Sequence, residues 1–116
     1  PDGSARVRQD ADRFAARVAA ARDDAVLQSR PVAVWVSPSA YGFARRSGGQ
    51  WQPVEDKPFA TTPWRDGVSA LTGGGQVRIA FDGTGATSDP VALTLVREGR
   101  QVGVTVDASG KVTVGA

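Results

Sequence analysis

Residues 7–25 read Val7-Arg-Gln-Asp-Ala-Asp-Arg-Phe-Ala-Ala-Arg-Val-Ala-Ala-Ala-Arg-Asp-Asp-Ala25. Within this run Val7, Ala11, Phe14, Val18, Ala21 and Ala25 step alternately by four and three, which puts all six on one stripe of an α-helix. The stripe predicts the face on which a helix meets its core. Between Ser4 and Ser29 there is no glycine or proline, and alanine and arginine, both strong helix formers, recur throughout. Pro31 predicts the stop, because the residue before a proline is pushed out of the helical region. A helix over about 5–29 is therefore expected.

Its other faces differ. One flank carries Arg6, Asp10, Arg13, Arg17 and Asp24 and reads as solvated. The back carries Ala16, Ala20 and Leu27, with Ala15, Ala19 and Val26 beside them. Small residues there let a second helix approach closely; the plainer reading is that alanine costs a helix least.

Beyond Pro31 the period changes to two. Val32, Val34 and Val36 alternate with Ala33 and Trp35, a strand that sets Trp35 opposite the valines. Ser37-Pro38-Ser39 signals a turn; Tyr41 and Phe43 share a face of a second strand, and after Gly48-Gly49 a brief third opens at Trp51 and is limited by Pro53. Residues 56–67 read as an irregular loop and 68–71 as a short strand. Gly73-Gly74-Gly75 is flexible, and Val77, Ile79 and Phe81 mark a clear strand. Another loop, 82–89, leads to a closing meander: a strand over 91–97, a Glu98-Gly99 turn, a strand over 100–106, a hairpin loop ending at Gly110, and a last strand with Val112 and Val114. One long helix followed only by strands predicts an α+β fold with antiparallel sheets, the helix stripe covering one sheet face. Residues 1–116 suit one domain, with 32–116 as its β-rich head.

Hydrophobic residues make up 41% of the chain, too many for a disordered tail. The net charge is only +2 and the charges are mixed along the chain, which argues against a nucleic-acid partner. There is no cysteine, histidine or methionine, which removes Ser-His-Asp and Cys-His catalysis and His or Cys zinc ligation. No stretch is long and apolar enough to cross a bilayer. Pro1-Asp2-Gly3-Ser4 reads like a cloning remnant or a cut inside a longer protein, so an upstream segment is expected.

The remaining candidates for chemistry are ordinary. Gly73-Gly74-Gly75-Gln76 lacks the Lys-Ser/Thr of a phosphate loop, and no helix follows it. Asp82-Gly83-Thr84-Gly85 has carboxylate and turn residues but not the EF-hand spacing. Glu55-Asp56 is a carboxylate pair of the type glycosidases use, yet it lies on a charged loop. The expectation is no catalytic residue, no metal, no cofactor and no small-molecule substrate. Trp51 and Trp64 flank the proline-rich loop. With Arg65 they are candidate partner contacts, the plainer reading being that both pin the loop onto the sheet. Arg45-Arg46 reads as solvated surface.

The chain resembles the H-type minor pseudopilins of type II secretion, the GspH/FimT group. The resemblance rests on Ala19-Ala-Ala-Arg-Asp-Asp-Ala-Val-Leu-Gln-Ser-Arg-Pro-Val32, on Tyr41-Gly-Phe43, on Trp51-Gln-Pro-Val54 with the acidic pair after it, and on Val77-Arg-Ile-Ala-Phe81-Asp-Gly followed by the strand near Val91–Val96. It spans about residue 15 to the end and is carried by order and spacing. It implies a pilin-like fold, one long N-terminal helix packed on a two-sheet head. It also implies a leader cut by a prepilin peptidase and a hydrophobic helix, absent from this sequence, that anchors the full-length form in the inner membrane by a single pass. The head would lie in the periplasm. The subunit would join a short pseudopilus near its tip, with other minor and major pseudopilins as partners, and help export folded proteins across the outer membrane. Under that resemblance Ala15, Ala16, Ala19, Ala20 and Leu27 become the expected subunit interface.

Two rivals share parts of this pattern. One is a type IV pilus minor pilin of the same group, some of which bind DNA; Arg45, Arg46, Arg65, Arg97 and Arg100 would then form a phosphate-binding patch. The other is a carbohydrate-binding module using Trp51 and Trp64 as platforms, against which the long helix argues.

Overall fold

The computed structural model describes residues 3–115, so Pro1 and Asp2 of the suspected remnant lie outside the described residues. Helix α1 spans Gly3–Gln28, about 39 Å at 1.5 Å per residue. It closes without a glycine: Ser29 takes the left-handed conformation at φ 51°. The Ser29 N–H then donates to the Val26 carbonyl at 3.2 Å and the Arg30 N–H to the Ala25 carbonyl at 3.1 Å, the paired bonds of a Schellman cap.

Among the described residues nine strands follow: β1 Val32–Val36, β2 Ala40–Ser47, β3 Gln50–Pro53, β4 Thr62–Pro63, β5 Ser69–Leu71, β6 Val77–Phe81, β7 Val91–Arg97, β8 Arg100–Val106 and β9 Val112–Gly115. They form two antiparallel sheets. The first runs β3-β2-β1-β6, with β4 also paired to β2; the second runs β5-β7-β8-β9. The loop expected over 56–67 thus contains a two-residue strand, β4, which ties it to the start of β2.

Period-two alternation sets which large apolar side chains turn inward. Val32, Val34 and Val36 of β1, Tyr41 and Phe43 of β2, and Ile79 and Phe81 of β6 turn inward. In the second sheet Leu93, Leu95, Val102, Val104 and Val106 do the same. Against them lie Val7, Ala11, Phe14, Val18, Ala21 and Ala25, all at 0% exposure. Each large apolar side chain buried in this way contributes roughly 1.5–3 kcal/mol. The helix meets β1 of one sheet and β7, β8 and β9 of the other, so its buried arc is wider than one stripe. That width corrects one expectation: Ala15 is a core residue at 9% exposure, not part of a free face.

Phe14 is the hub of an aromatic cluster. Its ring centroid lies 4.9 Å from Tyr41 and 5.1 Å from Trp64, both edge-on, and Tyr41 and Trp64 are 4.6 Å apart. Offset and edge-on pairs of this kind add about 0.5–1.5 kcal/mol beyond area burial.

Candidate functional site

The charged flank of α1 is the first surprise. Arg6 is exposed as expected, but Asp10 is buried at 3%. Asp10 Oδ1 accepts from Arg13 Nε at 2.9 Å and Nη2 at 2.6 Å, while its Oδ2 accepts from the Arg65 backbone N–H at 2.8 Å. Arg13 also donates to the Pro63 carbonyl at 3.2 Å. One turn on, Arg17 donates to the Tyr41 hydroxyl at 2.8 Å and to Thr62 Oγ1 at 3.2 Å. Asp24 takes both prongs of Arg45, at 2.8 Å each, and that bond, above all, raises the Arg45 pKa further. The flank is therefore a clasp on the 60–66 loop and β2, not a solvated face.

A second clasp holds the other sheet. Arg22 Nε donates to the carbonyls of Gly85 at 2.8 Å and Ser109 at 3.2 Å. Two loops of the same design meet there. Asp82 Oδ1 accepts from the Thr84 hydroxyl and the Thr84 and Ala86 N–H groups; Asp107 Oδ1 accepts from the Ser109 hydroxyl and the Ser109 and Lys111 N–H groups. These bonds hold both carboxyls below the usual carboxylate range, the hydroxyl bond being the largest cause in each. A Cβ on Gly110, where φ is +88°, would come within 2.0 Å of the Gly85 carbonyl oxygen and 2.5 Å of Arg22 Nε. Only glycine admits that approach.

With both flanks engaged, the face left to solvent runs through Arg8, Asp12, Ala16, Asp23 and Leu27. Ala16 is exposed, Ala19 and Ala20 are half-buried, and Ala20 packs against the core. Leu27 is 80% exposed and its neighbour Val26 43%, which makes the lower end of the helix an uncovered apolar spot.

The tryptophans part company. Trp64 is buried, not a surface contact: it packs on Phe14 and Tyr41, and its Nε1–H donates to the Ser37 carbonyl at 3.1 Å. Arg65 is exposed, but its backbone N–H is held by Asp10. Trp51 is half-buried on β3. Its partner is one the sequence reading had not joined to it, Trp35, the tryptophan set opposite the valines of β1. The two line a groove of about 380 Å³ on the outer face of the first sheet. Of the five arginines of the expected phosphate-binding patch, Arg45 is paired with Asp24 and Arg97 with Glu98 at 3.0 Å, while Arg46, Arg65 and Arg100 are exposed. Among the described residues no three carboxylates converge on a metal site, and no helix is long and apolar enough to cross a membrane.

A clasped N-terminal helix on two antiparallel sheets is the arrangement the sequence resemblance implied. The family model for type II transport protein GspH matches residues 10–110. The chain belongs to the GspH family. No curated protein sequence matches it. Among solved structures it is similar to the minor pseudopilin EpsH of the Vibrio cholerae type II secretion system, at 17% identity and a TM-score of 0.79, covering 99% of this chain and 96% of that one. A second EpsH structure gives 0.78 at 19% identity, covering 95% and 96%. It is also similar to the type IV minor pilin FimU of Pseudomonas aeruginosa, at 12% identity and a TM-score of 0.72, covering 95% and 88%. At these identities the likeness speaks to the fold, which this GspH-family chain shares with both.

Proposed function

We propose that this chain is the periplasmic part of a minor pseudopilin of the type II secretion system, assembling near the tip of the pseudopilus with other minor and major pseudopilins. GspH-family membership and the EpsH-like fold support the class. The single observation that carries the assembly role is the free face of α1. Its flanks are bound to the head by Asp10, Arg13, Arg17, Arg22 and Asp24, while Ala16 and Leu27 stay open. A small residue admits a neighbouring helix at close range, and an exposed leucine gains by being covered. Ala16, Ala20 and Leu27 with Ala19 beside them form this interface; Ala15 belongs to the core. In full-length form an N-terminal hydrophobic helix would hold the subunit in the inner membrane with the head in the periplasm. The role is structural, without catalysis, cofactor or nucleic acid.

Residues 1–116 contain no cysteine, so within this part of the protein a single introduced thiol is the one reactive position. Full-length Ala16→Cys and Leu27→Cys proteins, expressed with the other pseudopilins each carrying one cysteine, are expected to cross-link to a pseudopilin in vivo. Absence of any such cross-link from both positions would remove the interface. The likeness to FimU keeps a type IV pilus role as the second reading; pilus assembly rather than secretion would then fail in a deletion strain.

A further inference from the structure

The groove on the outer face of the first sheet lies apart from the proposed interface, and of the clasp residues only Tyr41 lines it. Its two walls are Trp35 and Trp51, both half-buried, and its floor is made of small residues, Gly42 and Ala44, with Pro53 and Gln76 at the rim. The register explains the shape. Trp35 lies directly across from Gly42 on one side and Arg78 on the other, while Trp51 lies across from Arg46. Small residues between large ones leave a trough. A Cβ at Gly42 would stand 3.0 Å from Thr61 Oγ1, so any side chain there would fill it.

Charge then selects the occupant. The Arg78 guanidinium lies 5.6 Å from the centre of the Trp35 ring, and that of Arg46 lies 5.3 Å from Trp51. Both arginines are exposed, and among the described residues neither has a carboxylate partner. No residue lining the groove is acidic. Arg78 and Arg46 sit two strands and four residues apart, roughly 16 Å by sheet spacing, the reach of about five extended residues.

We propose that this groove docks an extended polypeptide segment that places an apolar side chain or proline between Trp35 and Trp51 and carboxylates on Arg46 and Arg78. Tryptophan walls with an arginine stacked on each, just outside the lining, suit such a ligand. A neutral glycan would leave both guanidinium groups without a counter-charge. This inference does not rest on the assembly role of α1.

The test is selection of a random dodecapeptide library on the 116-residue chain. The selected peptides are expected to be enriched in Asp and Glu around an apolar residue or proline. Their affinity is expected to fall about tenfold or more on the doubly reversed R46E/R78E protein and on Trp51→Ala, with both variants checked for native circular dichroism. Titration is expected to move the indole N–H resonances of Trp35 and Trp51 and leave that of Trp64. The proposal is overturned if no peptide is enriched, if the enriched peptides lack acidic residues, or if the variants bind equally well. Cellohexaose moving the same two indoles while the peptides do not would also overturn it.

Discussion

Asp10 and Arg65 stand 55 positions apart in the chain and are joined by a 2.8 Å hydrogen bond from the Arg65 backbone N–H to Asp10 Oδ2. The other carboxylate oxygen is held by Arg13. One buried side chain on the helix therefore orders a loop that has little regular structure of its own.

Removing that carboxylate strands Arg13 and the Arg65 N–H together. Asp10→Ala is expected to lower unfolding free energy by about 2–4 kcal/mol, and Asp10→Asn by less because an amide oxygen still accepts one bond. Urea denaturation measures both. An effect no larger than that of breaking the exposed Arg8–Asp12 pair, at 3.6 Å and worth about 0–1 kcal/mol, would contradict the clasp.

Gly110→Ala is expected to be costly, about 2–3 kcal/mol, because the new methyl meets the Gly85 carbonyl and Arg22 as well as a left-handed backbone. Gly48→Ala shares the positive φ but faces open space, so it is expected to cost about 1 kcal/mol. Thermal unfolding of the two variants side by side separates collision from backbone strain.

Trp64→Ala is expected to cost about 3–5 kcal/mol through loss of the Phe14 and Tyr41 contacts. Trp64→Phe keeps most of the packing and loses the bond to the Ser37 carbonyl, about 1 kcal/mol. Trp51→Ala, on the edge of its sheet, is expected to leave stability within about 1 kcal/mol.

Asp82 and Asp107 give the chain an acid limb. Both carboxyls have a folded pKa below the ordinary aspartate value. The stability they contribute is therefore complete above the unfolded pKa and is lost as pH falls through the folded one. Carboxyl resonances followed by NMR from neutral to acid pH are expected to titrate below free aspartate, with the Thr84 and Lys111 amides shifting in step. Titration at or above the free value would contradict the loop geometry.

Much of this architecture can be read from residue spacing, and the exceptions have physical causes. The six-residue stripe ending at Ala25 is legible because helical period and burial coincide, and Trp35 is placed by the phase of its valine neighbours. Asp10 and Asp24 are not legible as clasps, since a charge on a helix flank looks the same whether water or a distant arginine meets it. Ala15 is misplaced by a single-stripe reading because two sheets bury a broader arc than one. Burial of Trp64 matches the plainer of the two sequence readings, that it pins the loop, although the period of that proline-rich segment does not itself decide it; the pairing of Trp35 with Trp51 exists only once β3 is laid beside β2. The helix stop at Gln28 carries no glycine signal, because Ser29 supplies the left-handed turn.

The most direct test of the central claim uses the full-length gene in a deletion strain. Ala16→Arg adds a long cation on an exposed helix position, so the head is expected to fold with wild-type stability. Secretion of the system's folded cargo is measured beside co-purification with the other pseudopilins. The account predicts a folded variant that secretes at least about tenfold less and no longer co-purifies, as a buried, unpaired charge at a helix contact would dictate. Wild-type secretion and undiminished co-purification by a stably folded Ala16→Arg protein would contradict it.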